Sequence, residues 1–116
     1  MTAEDRAKQY LEFFSSCDLQ SISEMLADGV TLRDWEVSLK GKEAILEFNK
    51  GIFDSFSMEL TIVNTISSDS DVAVEFELTL KDEKNPSNDD IFLLVTDILS
   101  FNREGKINSI IAYRGN

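Results

Sequence analysis

Apolar positions in this chain change their spacing part-way along, from a helical period to strict alternation, and the change sorts the predicted elements into two groups. Thr2 and Asp5 read as a capping box, after which Ala7, Tyr10, Leu11 and Phe14 recur at helical spacing and predict a first helix ending near Ser16. Asp18 is placed to cap a shorter helix carrying Leu19, Ile22, Met25 and Leu26 on one face, with Gly29 placed to stop it. Val30 to Trp35 alternates as a strand, with Val30, Leu32 and Asp34 on one side. Val37 and Leu39 predict a short second strand, and Gly41 precedes a third helix whose Ile45, Phe48 and Ile52 run to about Phe53.

Beyond Phe56 the pattern is that of strands. Met58, Leu60, Ile62 and Ile66 predict one, and Val72, Val74, Phe76, Leu78 and Leu80 another, with a turn at Ser67 to Asp71 between them. The polar stretch Asp82 to Asp90, which holds the only proline, reads as a loop. Ile91 to Phe101 follows as the most apolar strand, then a turn at Asn102 to Gly105 and a last strand with Ile107, Ile111 and Tyr113 on one face. Three helices followed by a long antiparallel meander predict a single α+β domain over residues 1–116, a cone-shaped, strongly bent antiparallel sheet wrapped around the helices.

Within the Ile91 to Phe101 strand, Asp97 shares its phase with Ile91, Leu93, Val95, Leu99 and Phe101, so a carboxyl group is carried toward the core. Burying a charged carboxylate without partners is costly enough that such a group usually keeps its proton. Phe92, Leu94 and Ile98 make the other face of the strand apolar as well, and that face also needs a cover. With the helices used on the inner side, a second copy of the sheet is the simplest one, and a homodimer packed through the sheets is expected.

Composition narrows the chemistry further. A net charge of −11, from 22 acidic against 11 basic residues, repels polyanions and argues against nucleic acid as a partner. No apolar run approaches a bilayer span and the N-terminal stretch is charged, so no membrane association and a cytoplasmic location are expected. Cys17 stands alone, which leaves no internal disulfide and no cysteine metal cluster. Histidine is absent, removing histidine-based nucleophilic catalysis and ordinary zinc sites. Proton chemistry near neutral pH then falls to carboxyls or tyrosines with shifted pKa or to a depressed lysine, and no metal or cofactor is expected.

The element order, Tyr10 in the first helix, the corner and helix from Cys17-Asp18-Leu19 to Leu26-Ala27-Asp28, the Val30 to Trp35 strand, the Gly41-Lys42-Glu43-Ala44-Ile45 helix start and the Asp97 to Tyr113 hairpin resemble the NTF2-like superfamily, a cystatin-like α+β barrel. Within it the chain is most similar to ketosteroid isomerase and the SnoaL-like proteins. The resemblance implies that Tyr10 and a protonated Asp97 form an oxyanion hole and that Asp34 is the base. It implies an isomerase of the ketosteroid type or a SnoaL-like cyclase, moving a proton beside the carbonyl of a small hydrophobic molecule. Phe14, Trp35, Phe48, Phe53 and Leu99 are the expected ligand-binding residues in an aromatic and aliphatic cone.

Some positions depart from that family. Trp35 and Glu36 follow Asp34 where the isomerases usually carry proline and a small residue. The Arg-x-Asp spacing of limonene epoxide hydrolase is missing because Arg33 abuts Asp34, and the histidines of scytalone dehydratase are absent. Each candidate also has a structural role open to it: Asp97 as a satisfied buried acid, Asp34 as a strand-end acid bonding a turn, Tyr10 as a packed ring with a wet hydroxyl. The same residues would serve a non-catalytic binding module for an apolar ligand, or a protein-interaction domain of the nuclear transport factor type with a self-filled pocket.

Overall fold

The computed structural model describes residues 1–116 and contains three helices and six strands: α1 (Ala3–Ser15), α2 (Leu19–Met25), β1 (Leu26–Arg33), β2 (Ser38–Lys40), α3 (Lys42–Ser55), β3 (Phe56–Ser67), β4 (Asp71–Asp82), β5 (Ile91–Phe101) and β6 (Ile107–Arg114). The strands form one open sheet in the order β2-β1-β6-β5-β4-β3. The meander from β3 to β6 is antiparallel as expected, but β1 returns to pair with β6 in parallel, so the sheet is mixed. Register shifts interrupt the β1/β6, β3/β4 and β5/β6 ladders, and each such bulge sharpens the local bend that gives the sheet a concave face.

The capping box is present: the Thr2 hydroxyl accepts from the Asp5 amide, and the Asp5 carboxylate accepts from the Thr2 amide, starting α1. α1 lies over β3 and β4 with Ala7, Tyr10 and Leu11 buried. Cys17, at φ +58°, turns the corner, and Asp18 caps α2 by accepting from the Ser21 amide. Burial pushes the Cys17 thiol up, against any role as an activated nucleophile. Gly29 does not stop α2; the helix ends at Met25, and Leu26, predicted on its apolar face, already begins β1 and is buried against the sheet.

Bulges also correct two predicted faces. The shift between Ile62 and Asn64 reverses the phase of β3, so Ile66 points to solvent while Met58, Leu60 and Ile62 pack inward. The irregularity where Phe101 meets Ile107 does the same in β6: Ile107 and Ile110 are buried, and Tyr113, predicted on the face of Ile107, is exposed. A one-residue slip exchanges the two faces of a strand, and alternation read from sequence cannot register it.

Gly41 joins β2 to α3 at φ +98° and ψ 146°, a conformation close to glycine-only space, while its amide donates to the Val30 carbonyl. This junction sets the angle at which α3 crosses the concave face. Gly41→Ala is expected to lose about 1–2 kcal/mol, backbone strain offset in part by a stiffer unfolded chain, as read by urea denaturation.

Candidate functional site

The concave face and the helices enclose a cavity of about 390 Å³. Its wall is largely apolar, with Leu11, Phe14, Phe48, Ile52, Phe76, Leu78 and Val95 among the lining side chains, and its polar groups are few: Tyr10, Asp34, Glu36, Asn49, Asp97 and Arg114. Leu80 and Ile91 both line it, so the Asp82–Asp90 loop that connects them stands at its rim. The loop is organised by Asp82, whose carboxylate accepts from the Lys84 and Asn85 amides and from the Asn88 side chain.

Tyr10, Asp34 and Asp97 all line this cavity, brought from α1, the end of β1 and β5. Asp97 is 7% exposed, and its cross-strand neighbours, Val74 on β4 and Ala112 on β6, have no side-chain donor to offer it. Burial first, and the charge of Asp34 second, push its carboxyl up to about 7, so that near neutral pH it carries a proton in a large share of molecules. Tyr10 is 3% exposed; burial and the nearby Asp97 charge drive its ionisation well above the usual tyrosine range, so its phenol remains a neutral donor.

Asp34 does what a strand-end acid does, and keeps one oxygen free. Its Oδ1 accepts from the amides of Glu36 (2.7 Å) and Val37 (2.8 Å), closing the turn between β1 and β2. Two backbone bonds on one oxygen fix the orientation of the carboxylate, while Oδ2 has no protein donor. A held carboxylate with one uncommitted oxygen at a cavity wall has the geometry of a general base.

Of the expected ligand-binding residues, Phe14, Trp35 and Phe48 line the cavity, with Trp35 part-exposed at its mouth. Phe53 and Leu99 do not. Phe53 supports the wall from behind, its ring 5.3 Å edge-on from that of Phe14, and Leu99 is fully buried in the core. Arg33 faces the groove on the opposite side of the β1–β2 edge, whereas Arg114, from the end of β6, lines the cavity.

Asn49 is the site residue that pattern reading passes over, although a signal is present. It falls one turn after Ile45 and beside Phe48 on the apolar stripe of α3, just as Asp97 falls on the apolar phase of β5. It is 1% exposed, and its Nδ2 has no hydrogen-bond partner. No group of three or more acidic, cysteine or histidine side chains is arranged to hold a metal ion.

The family model for the SnoaL-like domain matches residues 7–110, from within α1 to within β6. The chain belongs to the SnoaL-like family. Among solved structures it is similar to SalBIII, an epoxide hydrolase/cyclase-like enzyme with a role in pyran ring formation in the polyether salinomycin, at TM-score 0.86 and 17% identity over 97% of this chain and 90% of that one. A candidate SnoaL-like polyketide cyclase from Shewanella denitrificans gives 0.87 and 14% over 97% and 90%. A candidate ketosteroid isomerase from Kribbella flavida gives 0.81 and 18% over 98% and 78%. At these identities the likeness is one of fold, the NTF2-like α+β architecture. No functionally curated protein matches the sequence at a significant level. No helix of this SnoaL-like protein is long and apolar enough to cross a membrane.

The Asp97 shift carries a stability consequence whose sign is fixed. The native state holds the Asp97 proton up to about 7 and the unfolded chain releases it near 3.8, so between those values the native state binds more protons and stability falls as pH rises. Asp97→Asn, which cannot ionise, is expected to gain nothing over wild type below 3.8 and on the order of 4 kcal/mol above about 7, measured by urea denaturation across a pH series. A constant difference across that range would show that Asp97 is not held protonated.

Proposed function

We propose that this SnoaL-like protein binds a small apolar molecule carrying a carbonyl or similar oxygen and moves a proton on it. The observation that carries the reading is the pair of carboxyls facing one apolar cavity, one fixed by backbone amides and the other pushed toward its protonated form. In the proposed step, Asp34 Oδ2 takes the proton from the carbon beside the carbonyl. The C–H electron pair becomes the carbon–carbon π bond, and the carbonyl electrons move onto oxygen as an enolate. Tyr10 and protonated Asp97 donate to that oxygen, and Asp34 returns the proton to a carbon of the same molecule.

The neighbours are a candidate ketosteroid isomerase, a candidate polyketide cyclase and an epoxide hydrolase/cyclase-like enzyme, and all three names denote chemistry on carbon skeletons bearing oxygen. An acid opposite a base would equally protonate an epoxide oxygen while activating a hydroxyl. The unfilled cavity weighs against the nuclear transport factor reading, which calls for a pocket occupied by its own side chains.

Simple ketones suffice for the test, whatever the natural substrate. Cyclic ketones and enones are incubated with the protein in D2O, and exchange at the carbon beside the carbonyl is followed by NMR. Wild type is expected to accelerate exchange, and Asp34→Asn to slow the catalysed rate by roughly 10²–10⁴-fold with ketone affinity little changed. Equal rates for the two proteins would remove Asp34 as base, and saturable binding without any exchange would make the protein a binding module.

We also propose that the outer sheet face pairs two copies. Phe92, Leu94 and Tyr113 are exposed side by side on β5 and β6, away from the cavity. Light scattering is expected to give a dimer for wild type and a monomer for Leu94→Lys; a monomeric wild type would sink the idea.

A further inference from the structure

The cavity wall carries one cation, and strand geometry sets where it stands. On β6 the alternate residues Ile110, Ala112 and Arg114 share the concave face, and all three line the cavity. Ala112 pairs across the sheet with Asp97 and Arg114 with Val95, so Arg114 lies two residues, roughly 7 Å of strand, beyond the Asp97 position. The backbone there is held. The Gly115 amide donates to the Leu94 carbonyl at 2.8 Å, and the Asn116 side chain accepts from the Leu94 amide and donates to the Phe92 carbonyl, each at 3.0 Å. Chain on both sides of Arg114 is thereby fixed to β5, and its side chain starts from a set point on the wall.

Arg114 has no counter-ion of its own. Asp34 and the exposed Glu36 line the same cavity, yet the four ion pairs of the structure all join other residues. An arginine stays charged at any working pH, and its planar fork of N–H donors matches the two oxygens of a carboxylate. Resting on the reading of a proton-transfer pocket, we propose that Arg114 is a ligand-binding residue and that the substrate is a keto acid: an apolar body whose carbonyl oxygen meets Tyr10 and Asp97 and whose single carboxylate, several bonds away, pairs with Arg114. The acids of the wall add direction. A carboxylate placed deep in the cavity would meet Asp34 and Asp97 among apolar side chains, whereas at Arg114, exposed at the end of β6, it is paired and still part-hydrated. Charge therefore favours the orientation that leaves the carbonyl end inside.

The experiment compares 3-benzoylpropionic acid, an apolar ketone with a carboxylate on a flexible arm, with its uncharged methyl ester, both titrated calorimetrically near neutral pH. Wild type is expected to bind the acid on the order of tenfold more tightly than the ester. Arg114→Gln is expected to bind the ester as before and the acid no better than the ester, because Asp34 and Glu36 then face the carboxylate without a cation. Its melting temperature is expected to match wild type, since the side chain is exposed and joins no ion pair. No preference for the acid in wild type, or the same preference in Arg114→Gln, would overturn the proposal, as would a wild type that binds neither compound.

Contact is read directly by NMR. The Arg114 Nε–H resonance is expected to shift on adding the acid and to stay in place with the ester, and equal responses to the two would overturn the pairing. Proton exchange on uncharged ketones tests the wider reading separately. Exchange without a preference for the acid leaves the proton-transfer pocket and removes the carboxylate from its substrate; an Arg114-dependent preference without exchange leaves the carboxylate pairing and makes the protein a binding module for such acids.

Discussion

Burial of the Asp97 carboxyl on the concave face is the constraint on which the rest of the site depends. Asp97 sits between Val74 and Ala112 across the sheet and between Val95 and Leu99 along its own strand, so no neighbouring side chain replaces the water its carboxyl gives up. Desolvation is accordingly the larger cause of its raised pKa, and repulsion from Asp34 the smaller. Asp34 accepts two backbone amides at its turn, while Asp97 has only apolar side chains across the sheet and its carboxyl is pushed up to about 7. The turn after β1 therefore fixes the Asp34 carboxylate as well as the chain direction.

Much of this is legible from period alone, and what is not has a small number of physical causes. The inward phase of Asp97 follows from uninterrupted alternation in β5, and the α1 cap from two side chains three residues apart. Ile66 and Tyr113 lie on the opposite face from the one alternation predicts, because a bulge adds a residue that a period of two does not count. The parallel pairing of β1 with β6 joins segments from opposite ends of the chain, and neither carries a local sign of its partner. Phe53 and Leu99 depart from expectation for another reason: an apolar residue on an inward face can support a cavity wall or line it, and only three-dimensional packing separates the two.

Asn49 shows the same rule from the other side. A single asparagine on a helix that is otherwise well patterned reads as tolerable noise, and its weight appears only when α3 sets it on the wall of the cavity that Tyr10 also lines. Arg114, exposed at the end of β6, also lines the cavity. Each departs from local expectation by one residue, and each departure opens onto the same space.

That convergence is the reason to read the site as functional. Tyr10, Asn49 and Asp97 occupy inward positions on three separate elements, where an apolar residue would pack at lower cost. A structural explanation would require them to satisfy one another, as buried polar networks do when they contribute to stability. They do not: the Asn49 amide is unpartnered, the Asp97 carboxyl has apolar cross-strand neighbours, and both line the cavity. A set of polar groups that is costly to the fold and incomplete within it is the kind of wall that a site for a molecule from outside requires.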